Sequence, residues 1–203
     1  MSEIKILKKY LTCIRKKNHQ PHHDCGITVF QSQLLKWYKK HKRDDLPWRY
    51  TKNRHVSAYE ILVSEIMLQQ TQVSRVLDTF PRFLHAFPTI NHLAKAPLDN
   101  VLKEWQGMGY NRRGLYLKQC AQEIVKRFNG AIPSDPMLLK TLPGLGHYTA
   151  GAVSCFAFNT PTVFFDTNIR KFFIHHFFSS APDINKKISD AEIFPIAQRL
   201  LYK

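Results

Sequence analysis

Acidic residues are scarce in this chain: 15 Asp and Glu stand against 30 Lys and Arg, a formal net charge of +15 over 203 residues. An enzyme acting on small molecules rarely needs that imbalance. A phosphate backbone accounts for it, because neutralising phosphates releases counterions; an anionic membrane surface is the alternative. Glycine and proline are also few, 8 and 11 residues, so the chain is not low-complexity and most of it should fold. The four cysteines, Cys13, Cys25, Cys120 and Cys155, are widely and unevenly spaced, with no Cys-x-x-Cys pair. This argues against a disulfide framework and for a reducing compartment. The longest apolar run, near Ala150 to Phe158, is too short to span a bilayer. The basic N-terminus has no long apolar core and is not a secretory signal. No membrane partner is therefore expected, and the location expected is intracellular, in the cytoplasm (nucleoid) if the source is bacterial. Alternating apolar strands, internal repeats and low-complexity tracts are missing too.

What is present is helical periodicity. The length suits one domain or two small ones, and the 44% apolar content is ordinary for a globular protein. Residues 1–27 read as a basic extension, with a short helix over Ser2 to Lys17. His19, His22, His23 and Cys25 lie there, but Gln20-Pro21 interrupts them and their spacing fits no standard zinc site. Thr28 to Lys42 reads as an amphipathic helix with Phe30, Leu34, Trp37 and Tyr38 at helical spacing. After a loop over Arg43 to Arg54, helices are expected over Ser57–Gln70 and Gln72–Phe87, with Pro81 requiring a kink or a break. Further helices are expected over Ile90–Lys95, Leu98–Trp105, Arg112–Phe128, Pro136–Thr141, Tyr148–Ala157, Ile169–Phe177 and Asp190–Tyr202. A short extended stretch is expected over Thr162–Phe165.

Two segments carry chemistry. In Ser64-Glu65-Ile66-Met67-Leu68-Gln69-Gln70-Thr71-Gln72-Val73, one carboxylate sits among apolar residues and a cluster of amides follows. On a helix, Ile61, Leu62 and Leu68 share the face of Glu65. A carboxylate there must be protonated or paired. Desolvation would raise its pKa, which suits a general acid; the alternative is a Glu at a core edge tied up by a nearby Arg. The second segment, Leu142-Pro143-Gly144-Leu145-Gly146-His147-Tyr148-Thr149, reads as a tight hairpin opening into a helix. Pro143 fixes φ, the glycines allow positive φ, and the free N–H groups of the helix start can bind phosphate. Some twenty residues further on stands an isolated acid, Asp166, in Phe165-Asp166-Thr167-Asn168.

With Leu46-Pro47-Trp48-Arg49 and Trp105-Gln106-Gly107-Met108-Gly109-Tyr110, these segments resemble the helix-hairpin-helix DNA glycosylases, from about Phe30 to about Phe177. The Met-Leu-Gln-Gln-Thr-Gln run favours the MutY-type adenine DNA glycosylases within that family over endonuclease III or the thymine-mismatch enzymes. The resemblance implies an all-α fold of two helical domains with the substrate base in the cleft between them. A six-helix barrel would span 56–164, with the helix-hairpin-helix at 137–158. A second helical domain would combine 28–55 with 165–203, and Lys203 falls before that domain is normally complete.

The resemblance also implies roles. Glu65 would protonate adenine N7 and Asp166 would stabilise the cationic sugar, with Tyr148 and Asn168 orienting them. Trp48, Arg49, Leu68 and Val73 would line the base pocket. Gly144, Gly146 and His147 of the hairpin would hold the backbone, Gln70 and Tyr110 would wedge into the duplex, and Gln69, Arg112 and Arg113 would face DNA. Other readings stay open: a core aromatic for Tyr110, a solvated helix face for Gln69, Gln70 and the two arginines, ordinary core for Trp48, and a helix N-cap for Asp166. Family members often use a monovalent cation held by hairpin carbonyls. Many carry an iron–sulfur cluster on four closely spaced cysteines; no such set is in this chain, so no cluster is expected in it. Bifunctional relatives place Lys where Tyr148 stands, and a phenol cannot form a Schiff base. The expected protein is a monomeric, monofunctional base excision repair glycosylase that removes adenine opposite 8-oxoguanine or guanine from double-stranded DNA. The alternatives are a thymine or uracil mismatch glycosylase of the same fold, or a DNA-binding fragment with impaired catalysis.

Overall fold

The computed structural model describes residues 24–49, 56–178 and 188–201. The basic extension up to residue 23, with its three histidines, lies outside them. Ten helices form among the described residues, and no strand. They are α1 (Asp24–His41), α2 (Ala58–Met67), α3 (Val73–Ala86), α4 (Ile90–Lys95), α5 (Leu98–Glu104), α6 (Arg112–Phe128), α7 (Pro136–Lys140), α8 (His147–Phe158), α9 (Thr167–Phe178) and α10 (Asp190–Leu200). No described helix is long and apolar enough to cross a membrane.

The chain divides into two compact units. Residues 43–164 make one. The described residues before Arg43 and those from Phe165 onward make the other. Residues 28–55 are expected with the C-terminal end, but Leu46 and Trp48 of that stretch are buried in the core of the larger unit.

In the larger unit α2 is the central element. Its sequence is apolar nearly all round, and a helix of that kind is buried on every side: Tyr59 and Ile61 through Met67 are all buried. The helix starts at a capping box. Glu60 N–H donates to Ser57 Oγ at 3.2 Å, and Ser57 N–H donates to Glu60 Oε2 at 2.6 Å. It packs against α3, α6 and α8, while α4 and α5 pack on α6 and α7 packs on α8. Trp105, Phe80, Phe83, Leu117 and Ile124 fill the centre. Pro81 lies inside α3, which runs on through it.

One boundary differs from expectation in a way that matters. The helix expected to reach Gln70 ends at Met67, and Gln70 adopts φ 53°. The last carbonyls of a helix lack intrahelical partners, and here the guanidinium of Arg113 takes those of Ile66, Met67 and Gln69. Gln69 and Gln70 therefore sit on a turn, not on a helix face.

In the smaller unit, Phe30 of α1 meets Phe172 and Phe177 of α9 at ring-centroid distances of 6.3 and 6.0 Å. Gln31 Nε2 donates to the Leu200 carbonyl of α10 at 3.1 Å. The expected apolar stripe of α1 is split: Phe30 turns inward, but Leu34, Trp37 and Tyr38 are about half exposed, at 50%, 59% and 49%. Arg170 of α9 donates to the Asp190 carboxylate at 2.6 Å and to the Ile188 carbonyl, tying α9 to the start of α10.

Candidate functional site

Glu65 lies on α2 and is only 7% exposed. Burial pushes its carboxyl up to about 7, and the nearby positive charge of Arg49 pulls the other way. The balance leaves a carboxyl that can hold or release a proton near neutrality, the condition for a general acid. Arg49 itself lies over the Phe156 ring at 5.0 Å, which fixes its place beside the site. Trp48 is buried and meets Phe80 edge-on at 5.4 Å. Leu68 and Val73 are half-buried and pack against the same core.

The hairpin forms between α7 and α8. Gly144 takes φ 78°, and a Cβ there would stand 2.9 Å from Tyr116 Cβ. Gly146 does not use the positive φ that a glycine allows. It has φ −76°, with open space where a Cβ would go, and it caps α8 without a side-chain hydrogen bond. His147 is exposed at the first position of α8, and Tyr148 meets Phe164 edge-on at 5.4 Å.

Gln69 links the amide cluster to this hairpin. Its Nε2 donates to the Gly144 carbonyl at 3.3 Å and to Thr149 Oγ1 at 3.0 Å. Thr149 is buried, and nothing in the sequence pattern singled it out. Gln70 and Tyr110 are exposed, Tyr110 at 68%, and both hold left-handed backbone, φ 53° and 48°. Arg112 is exposed and lies over the Tyr116 ring at 5.2 Å. Arg113, expected to face DNA, instead turns inward to a set of backbone carbonyls. One signal was available. Arg112 and Arg113 occupy the first turn of α6, where the helix dipole disfavours positive charge.

In the smaller unit Asp166 caps α9. Its Oδ1 accepts from Ile169 N–H at 2.6 Å and its carbonyl from Arg170 N–H at 3.0 Å. The N-cap reading of Asp166 thus holds, and it is compatible with a chemical role. Asn168 is exposed in the first turn.

Residues 63–194 match the profile described as HhH-GPD superfamily base excision DNA repair protein. The chain belongs to this family.

Among HhH-GPD relatives, it is 45% identical over 145 residues to an adenine DNA glycosylase of Mycolicibacterium smegmatis, covering 71% of this chain and 48% of that protein. It is 41% identical over 148 residues to the adenine DNA glycosylase of Rattus norvegicus, covering 70% of this chain and 28% of the relative. The chain thus spans less than half the length of these curated relatives. A thermostable thymine-DNA glycosylase superposes with a TM-score of 0.63 at 30% identity, covering 70% of this chain and 64% of that one. A trapped endonuclease III–DNA complex matches the fold with a TM-score of 0.62 at 19% identity, covering 86% and 76%.

Proposed function

We propose that this HhH-GPD chain is a monofunctional DNA glycosylase that releases adenine mispaired with 8-oxoguanine or guanine. The observation that carries the reading is Glu65: a carboxyl buried on the central helix, with a pKa raised to about 7, in a chain 45% identical to an adenine DNA glycosylase.

A base inside a duplex must be extruded before its glycosidic bond can be reached. The hairpin around Gly144 and Gly146, opening into α8, suits the DNA backbone, with helix-start N–H groups for phosphate. The Leu142 and Gly144 carbonyls accept from Leu145 N–H and Gln69 Nε2. A carbonyl oxygen has two lone pairs, so both fit a monovalent cation that would help neutralise phosphate. In this reading Trp48, Arg49, Leu68 and Val73 line the base pocket, as the family resemblance implies, since an apolar slot with a polar edge fits a planar base.

Glu65 then gives its proton to adenine N7. The C1′–N9 bond breaks with its electron pair going to the base, which leaves as neutral adenine. The sugar becomes oxocarbenium-like, Asp166 offsets its positive charge, and water adds at C1′, its released proton returning to the Glu65 carboxylate. Tyr148 and Asn168 orient these groups. Tyr148 has no amine, so no Schiff base forms and strand cleavage does not follow.

The test incubates the protein with duplexes holding adenine opposite 8-oxoguanine or guanine, then applies alkali and looks for strand breaks. Breaks with the wild type but not with Glu65→Gln are expected. Tight binding without breaks would overturn the enzymatic reading in favour of a DNA-binding module. The 30% identity to a thymine-DNA glycosylase favours one second reading, a pyrimidine mismatch enzyme. Pyrimidines offer no N7 to protonate, so Glu65 speaks against it; faster release of uracil or thymine than of adenine would establish it.

A further inference from the structure

Arg113 occupies the second position of α6 and spends its guanidinium entirely inside the larger unit. Its Nη1 donates to the carbonyls of Ile66 at 3.3 Å, Met67 at 2.9 Å and Gln69. Its Nη2 donates to Thr71 Oγ1 at 2.8 Å and to the carbonyls of Met108 at 2.9 Å and Gly109 at 3.1 Å. The rings of Trp105 and Tyr110 stand 5.7 and 5.6 Å from its central carbon. Trp105 Nε1 adds a bond to the Gly109 carbonyl at 3.3 Å.

The acceptors belong to two segments far apart in sequence, the end of α2 with the turn after it and the loop before α6. Each segment carries one exposed non-glycine residue in left-handed backbone, Gln70 and Tyr110. Such backbone is disfavoured for residues with a Cβ and persists only where its surroundings over-determine it. Arg113 bonds to both surroundings, and Thr71 Oγ1 adds a single bond from the first segment to the Met108 carbonyl of the second at 3.4 Å. We propose that Arg113 is a positioning residue that fastens the Gln69–Thr71 turn to the Gly107–Tyr110 loop, so that Gln70 and Tyr110 enter the duplex as one rigid wedge. This rests on the reading that those two side chains enter DNA.

The proposal separates from a plain phosphate contact by chemistry. A phosphate contact needs a positive charge, which Lys keeps. A clamp on six oxygens in two directions needs the two terminal nitrogens of a planar fork, with four N–H donors, where Lys has a single nitrogen.

The experiment compares the full chain with its Arg113→Lys form. Hydrogen exchange is read on the free proteins. Base extrusion is read with a fluorescent 2-aminopurine beside the mispair, and adenine release under single turnover. Expected is faster exchange in both segments together, with the other helices unchanged. The salt dependence of binding is expected to stay the same, while extrusion and adenine release fall by roughly a hundredfold, the scale of a misplacement of about 1 Å. Wild-type behaviour in Arg113→Lys would overturn the proposal. So would faster exchange in one segment only, or evenly throughout the chain, the latter marking a merely structural role. If Arg113→Lys does not fold, native-state hydrogen exchange of the wild type in rising urea decides: one common opening free energy for the Gln69–Thr71 turn and the Gly107–Tyr110 loop supports the coupling, and separate openings overturn it. If the wild type extrudes the base but releases no adenine, the function proposed above fails, while the exchange and extrusion readouts still judge Arg113.

Discussion

Glu65 is held between two opposed demands. Burial favours its neutral form, and Arg49 favours the charged one; burial wins, and the carboxyl titrates near 7 instead of 4.5. The consequence for stability has a definite sign. Between about pH 4.5 and 7 the folded chain keeps a proton at Glu65 that the unfolded chain has lost, so stability falls as pH rises through that window. The size is on the order of 3 kcal/mol, from about 1.4 kcal/mol per pH unit. Glu65→Gln has no such proton to lose, so its melting temperature should decline less than that of the wild type from pH 5 to 7.5. Calorimetric melts across that range check this, and parallel slopes would refute it. If the proposed function holds, the same carboxyl should set the rate profile of adenine release, which should fall as pH rises through about 7. Arg49→Gln removes the charge that lowers this pKa. It should move the falling limb to higher pH, as read from single-turnover rates.

At the scale of the element, the hairpin shows that two glycines in one motif need not do the same work. Gly144 combines positive φ with a Cβ position 2.9 Å from Tyr116 Cβ, whereas Gly146 combines ordinary φ with open space. Gly144→Ala should destabilise the chain by at least about 1 kcal/mol, from the left-handed backbone alone. Gly146→Ala should change stability by no more than about 0.5 kcal/mol. Urea unfolding of both variants checks the contrast. If Gly146→Ala weakens DNA binding without losing stability, the site at Gly146 is where phosphate approaches.

At the scale of the whole chain, the surplus of 15 positive charges is the property most open to measurement. DNA affinity should fall linearly on a log–log plot against salt, with a slope of about −0.9 per phosphate neutralised. Titrations between low and physiological salt check it, and a flat plot would remove the electrostatic part of the proposal. The helix inventory was largely legible, because apolar periodicity and caps are local. The ends were less so: α2 stops at Met67 because Arg113, more than forty positions on, takes its carbonyls. The stripe of α1 was legible as a pattern, but only Phe30 of it turns inward.

Sequence alone determined the helical class, the charge, the hairpin and the identity of Glu65 and Asp166 as the acids to watch. Each of these is written in adjacent residues or in composition. Only the tertiary structure decided that Glu65 is desolvated beside Arg49, that Gln69 braces the hairpin, and that Arg113 faces inward. Those facts depend on which distant segments meet, and burial and hydrogen bonding between distant segments leave no periodic trace in the chain.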